Sequence, residues 1–326
     1  MRPRLRSALV DVATSVVAYL ALMAAMFAAA RVSYLLVLVL AIPAAGFLTR
    51  GFIVFHDCAH GSFLPSRRVN AALGRVLGVL LYTPFAWWRH KHAVHHATTG
   101  DLDRRGTGDV QTLTVSEYRA RSWWGRIGYR LFRNPFVMFG LGPLWVIVVG
   151  PRVITPGMPA RLRRSVLGTN LALALVIAGL CWLFGWQEFL LVQGPPLLLS
   201  GAAGIWLFFV QHQFEDAYWQ PNDAWSFDAA ALEGSSYLKL PGILRFFTGN
   251  IGFHHIHHLN VRIPNYNLRA AHDTGKLEPA TTLTLRDGMR AVRLKLWDED
   301  ARQLVTFREA GRRRHVTAGK PTPTSA

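Results

Sequence analysis

The chain has 326 residues, 51% of them hydrophobic and 17% charged, with a formal net charge of +17. Several apolar runs approach the roughly 20 residues that span a bilayer, which excludes an ordinary water-soluble globule and predicts an integral membrane protein. A basic balance of this kind suits anionic lipid headgroups. It is not read as a nucleic-acid footprint, because the basic residues follow the membrane topology derived below.

Taken in chain order, apolar runs at 9–30 and 32–48 are joined so tightly around Arg31 that they predict a first membrane hairpin, its second span reaching about residue 55. Arg2, Arg4 and Arg6 before the first run, and Ala28 to Ala30 at its end, imitate a signal peptide. The second run follows almost at once, so the segment is expected to be retained as a span. Residues 69–84, with Asn70 and Arg75, and residues 134–150, broken by Gly140, Gly142 and Pro143, read as helices lying in the interface or dipping partway. Runs at 167–186 and 189–212 predict a second hairpin, with Gly194, Pro195 and Pro196 expected to kink or restart its last helix. Beyond it, 283–304 alternates apolar and charged residues as a surface helix would, and 311–326 reads as a disordered basic tail. The expected architecture is an all-α integral membrane protein: four spans in two hairpins, interfacial helices, and a cytosolic helical cap, forming one domain over 1–310 with 56–164 and 213–310 cytosolic or interfacial.

Ten of the thirteen histidines fall in three windows, HDCAH at His56 to His60, HKHAVHH at His90 to His96, and HHIHH at His254 to His258. On a helix, positions i, i+3 and i+4 share a face. His56 and His60 stand at i and i+4, while His92, His95, His96 and His254, His257, His258 each stand at i, i+3 and i+4, so each window presents one imidazole face. His90 and His255 are rotated off those faces and are left out. Cys58 also points off the face and Cys181 lies in a predicted span, so neither a disulfide nor a thiolate metal site is indicated.

Parity and charge then place all three windows together. Apart from Arg31, the arginines and lysines fall on one side of the four-span arrangement: the N-terminal arginines and Arg50, sixteen residues from Arg67 to Arg164, and fifteen after His212. That asymmetry puts the histidines, and both termini, on the cytosolic side. An extra crossing at 134–150 would separate the second window from the third. His212, at the end of the last span, arrives at the same level and is a candidate ninth ligand.

Eight or nine imidazoles exceed what one zinc ion or one mononuclear iron requires, so two ions are implied, although imidazole alone does not choose between iron, copper, zinc and nickel. A dinuclear site at the end of lipid-facing spans points to oxygen chemistry on an acyl chain.

HxxxH, then HxxHH, then HxxHH after a further hairpin resembles the membrane fatty acid desaturase family, which also includes hydroxylases and ketolases. HDCAHGSF from His56, WWRHKHAVHHATTGD from Trp87 and NIGFHHIHHLNVRIPNYNL from Asn250 are similar to the bacterial acyl-lipid Δ12 (ω-6) branch, as is QHQFED from Gln211. The resemblance implies two Fe ions held by His56, His60, His92, His95, His96, His254, His257 and His258, with His212 matching a further family histidine. It also implies O2 as co-substrate, two external electrons per turnover, and a bacterial inner-membrane location. Asn250 is read either as acting through water or as turning the chain after Gly249. Asp57, Asp101, Asp103, Glu215 and Asp216 are candidates to hold ligand imidazoles from behind. Neither a cysteine cluster nor a Gly-rich dinucleotide motif is present, so electrons are expected from a separate donor, ferredoxin with its reductase. Two alternatives stay open: an acyl hydroxylase or carotenoid ketolase on the same scaffold, and a histidine-rich metal carrier or transporter.

Overall fold

The computed structural model describes residues 1–107, 110–275 and 280–317, with side chains to 312. Among the described residues four helices are long and apolar enough to cross a membrane, and two bent helix pairs pass the same test when each is taken together. The first is α1 (Leu5–Val12), which passes through one π turn at Ala13–Val17 into α2 (Ala18–Ala30). The second, α3 (Tyr34–His60), begins where the Ser33 hydroxyl accepts from the Leu35 amide and ends at Gly61, whose φ of 70° supplies the left-handed C-terminal turn. The third and fourth are α8 (Ala160–Phe184) and α9 (Trp186–His212), separated by Gly185 at φ 88°. The α9 helix runs through Pro195 and Pro196 without the expected restart, held by the burial of Val192 and Leu197 in the core shared with α3.

That core is centred on α3. Val37, Ala41, Ala44, Leu48, Val54 and Phe55 pack against Tyr19, Met23 and Met26 of α2 and against Leu77 of α4 (Arg67–Leu80). Continuous with α4 across a 104° bend is α5 (Phe85–Thr98), which carries the second histidine window. The bend is closed by contact: a Cβ on Gly74 would lie 2.1 Å from the Phe85 ring, and one on Gly78 would lie 2.5 Å from the Thr83 carbonyl oxygen. Asn70, fully buried, fixes the approach to α4 by donating to Leu64 O at 2.7 Å and accepting from Leu64 N at 3.0 Å.

The polar half of the chain is not all-α. β1 (Leu113–Thr114) leads into α6 (Val115–Ala120), whose Thr114 and Glu117 form a reciprocal cap, and then α7 (Trp123–Phe132). A run of π and 3-10 turns, Val137–Arg152, is bent 59° from α7. After α9 come α10 (Phe227–Leu232), β2 (Tyr237–Lys239), α11 (Gly242–Phe247), α12 (His254–Leu259) and α13 (Asn265–His272). The expected surface helix over 283–304 is instead β3 (Thr282–Thr284), α14 (Leu285–Ala291), β4 (Leu296–Asp298) and β5 (Gln303–Val305). β4 pairs in parallel with β1 and antiparallel with β5, burying Leu296, Trp297, Leu304 and Val305, while β2 pairs in parallel with β3. A final helix, α15 (Phe307–Thr317), extends into the segment expected to be a disordered tail, of which 318–326 lies outside the described residues.

Two cationic ties anchor this half to the apolar helices. Arg133, fully buried, donates to Gln111 O, the Thr112 hydroxyl, Gln213 Oε1 and Leu294 O, joining the β1 and β4 connections to the residue after α9. Arg50 of α3 pairs with Asp11 of α1 and donates to Phe246 O of α11.

Because the α4 to α5 bend positions a histidine window, Gly74→Ala is expected to destabilise the protein by about 1–3 kcal/mol through overpacking against Phe85. Gly194→Ala, where an added Cβ meets nothing within 4 Å, should leave stability unchanged or slightly raised. Thermal unfolding of the two variants in one detergent checks the contrast.

Candidate metal centre

The first window occupies the last two turns of α3, the second lies on α5, the third is α12, and His212 is the last residue of α9. The structure brings all nine histidines together in two groups. His56, His60, His92, His96 and His257 form the first and His95, His212, His254 and His258 the second. In each, one ring nitrogen per residue lies within 4.8 Å of every other. Within the first, His92 Nε2 and His96 Nε2 are 3.1 Å apart and His96 Nε2 and His257 Nε2 are 3.0 Å apart; within the second, His254 Nε2 and His212 Nε2 are 2.9 Å apart. The groups abut, with the His96 and His258 rings stacked at 4.1 Å.

The division cuts across the sequence windows. Successive helical residues turn by about 100°, so i+4 lies about 40° to one side of i and i+3 about 60° to the other. The pair His92 and His96 therefore faces one group while His95 faces the other. On α12 the pair His254 and His258 serves the second group and His257 the first.

Outer contacts orient several rings. His56 Nδ1 lies 3.0 Å from Asp57 Oδ1, His212 Nδ1 2.9 Å from Gly234 O, and His95 Nδ1 3.2 Å from the Thr99 hydroxyl. The Trp88 ring stacks on His92 at 4.4 Å. His60 Nε2 and His258 Nε2 are buried without a hydrogen-bond partner. Polar atoms rarely remain buried that way unless something else satisfies them. Burial first, then the neighbouring imidazoles, holds His254, His257 and His258 well below the ordinary histidine value, so these three are neutral donors. Convergent imidazole nitrogens in groups of five and four, those on α12 neutral, fit two ions of an imidazole-binding metal.

His90 is exposed, and His255 is buried elsewhere, against His272 and Tyr237, with its pKa pushed down to about 4 by burial and then by His272. Of the five candidate acids, only Asp57 reaches a histidine of either group. Asp101 instead accepts from Asp103 N, Arg104 N and Asn222 Nδ2 and Asp103 from Asn222 N, stapling two loops, while Glu215 and Asp216 are exposed. Asn250, at φ 58°, turns the chain and donates to Asn265 O at 3.1 Å. Sequence reasoning missed Thr99, Gly234 and Asn265. Thr99 and Asn265 lie inside the quoted motifs, whereas nothing in the sequence marked Gly234. A cleft lined by Thr99, Gly100, Phe208, His212, Trp219 and Gly234 reaches the second group.

Comparison with known proteins gives this geometry a family. A fatty acid desaturase of Bacillus subtilis is 45% identical over 321 residues, 98% of this chain and 90% of that protein. Two Synechocystis proteins, an sn-1 acyl-lipid omega-3 desaturase (ferredoxin) and an sn-1 oleoyl-lipid 12-desaturase, are 31% and 28% identical over 68% and 70% of this chain. The matches span 62% and 65% of those two proteins. The family profile for fatty acid desaturase matches residues 29–280, a stretch that holds all nine clustered histidines, and the chain belongs to the fatty acid desaturase family.

Proposed function

We propose that this oxidoreductase uses dioxygen and two external electrons to remove two hydrogens from a fatty acyl chain, with two iron ions held by His56, His60, His92, His96 and His257 and by His95, His212, His254 and His258. The observation that carries the reading is the convergence of those nine histidines into two abutting groups. The bound irons supply dioxygen activation and hydrogen abstraction. Overall, one CH2–CH2 unit, O2, two electrons and two protons become one CH=CH unit and two waters. The chain's own part is positional: α3 and α9 deliver ligands at their C-terminal ends, α5 places its imidazoles between the two groups, and burial keeps water from the reacting carbons.

The same reading makes residues 1–310 one membrane domain, with α1–α2, α3, α8 and α9 as four spans. The convergence of the nine histidines supports α4–α5 and 123–152 as interfacial rather than crossing, because either one as a span would carry the histidines that follow to the opposite membrane face. The distribution of arginine and lysine supports a cytosolic site and termini in a bacterial inner membrane, with anionic lipid around the basic face. The similarity to acyl-lipid desaturases supports an acyl-lipid substrate and Δ12/ω-6-like chemistry. One of those relatives is named with ferredoxin, and a small acidic ferredoxin-type carrier suits a chain of net charge +17.

Expression with a ferredoxin and its reductase in a bacterium of simple fatty acid content should give a new monoene or diene among the methyl esters, absent from a His95→Ala strain. A hydroxy acid or an oxygenated carotenoid with an unchanged acyl profile would replace this reading with an oxygenase on the same scaffold. Active purified protein should contain two irons per chain by metal analysis, and fewer would defeat the dinuclear assignment.

The metal-free protein should also lose stability in acid. His254, His257 and His258 stay neutral below the ordinary value of 6.5 when folded, whereas the unfolded chain takes up protons there. The histidines leave stability unaffected above that value and lower it as pH falls through it. The unfolding temperature of chelator-treated protein should therefore drop between about pH 8 and about pH 5.5.

A further inference from the structure

We propose that Asp57, clamped by Asn265, is a positioning residue for the first metal group: its carboxylate holds His56 through Nδ1 and so keeps Nε2 as the ligand atom. The inference rests on the proposed function and extends it beyond the nine histidines.

Asp57 is 1% exposed and faces two ways. Oδ1 lies 3.0 Å from His56 Nδ1, while Oδ2 accepts from Asn265 N at 2.6 Å and from Asn265 Nδ2 at 3.1 Å. No lysine or arginine nitrogen is within ion-pair distance of it among the described residues. A buried carboxylate without a cationic side chain is costly to keep. Here the positive charge it answers is metal charge reaching it through an imidazole, because a carboxylate behind a ligand histidine both sets the tautomer and strengthens the donor nitrogen.

A simpler role exists for half of these contacts. Asn265 opens α13 directly after Pro264, so its amide is one of the unsatisfied first-turn groups, and Oδ2 acts as a cap for that helix. Capping leaves Oδ1 and His56 unexplained. Asn265 also links the first window to the third, since its carbonyl accepts from Asn250, four residues before His254. A shift of α13 would therefore be felt at His56 and at the turn leading into α12 together.

Asp57→Asn separates the two roles. The asparagine has one carbonyl oxygen, and the two donors on Asn265 compete for it. With that oxygen on Asn265, the amide nitrogen faces His56 Nδ1, which must then accept and carry its proton on Nε2, the ligand atom. The cap survives while the ligand is blocked.

The test uses the full-length protein loaded with iron-57. In the variant, one of the two irons should bind about 10–100-fold more weakly in chelator competition, with one Mössbauer doublet altered and the other retained. The metal-free unfolding temperature should match the unmodified protein. Parallel loss of both irons with a lower metal-free unfolding temperature would reduce Asp57 to a helix cap, and an unchanged spectrum and affinity would remove it from the site altogether. If Asp57→Asn does not fold, Asn265→Ala, which keeps the backbone N–H contact and removes the side-chain contacts to Asp57 and Asp11, must shift the same doublet, and its failure to do so overturns the proposal. Fewer than two irons in the unmodified protein would instead be a failure of the underlying function.

Discussion

Everything in this fold answers to one constraint, the confinement of nine imidazoles in two abutting groups, each within a sphere of a few ångströms. Neutral imidazole is a modest polar group, yet some of these nitrogens have no hydrogen-bond partner, and a buried unsatisfied polar atom costs about 1–3 kcal/mol. Groups in that condition spread apart unless stiff elements hold them. The stiffness comes from α3, packed along its length by α2, α4 and α9, and from the closed bend that sets α5 across its end. α12, only six residues long, depends on its neighbours for position. It is braced through Asn250 and Asn265, and by the Gly252 carbonyl, which accepts from Leu238 N at 2.8 Å.

Much of this was legible because helical register is a local property. His56 with His60, and the i, i+3, i+4 sets at His92 and His254, could be read as coherent faces before any tertiary structure was known, and the same arithmetic excluded His90 and His255. The allocation of ligands to two groups was not legible, since it depends on how α5 and α12 are rotated relative to α3 and α9. The polar half was harder still. β1 pairs with β4 across more than 180 residues, and Asp57 meets Asn265 across 208. No window of sequence contains both partners. Over 283–304, alternating apolar and charged residues were read as a surface helix, whereas Leu296, Trp297 and Leu304 are buried in short strands, one of whose partners, β1, lies elsewhere in the chain.

The same separation of local and distant information bears on selectivity. On the proposed reading the histidine windows set which chemistry is possible, and they do so with residues close in sequence. Where along an acyl chain that chemistry falls is a different quantity, set by the distance from the metal groups to whatever stops the chain. Relatives sharing the family signature can accordingly differ in double-bond position, as the omega-3 and 12-desaturase names of the two Synechocystis proteins illustrate.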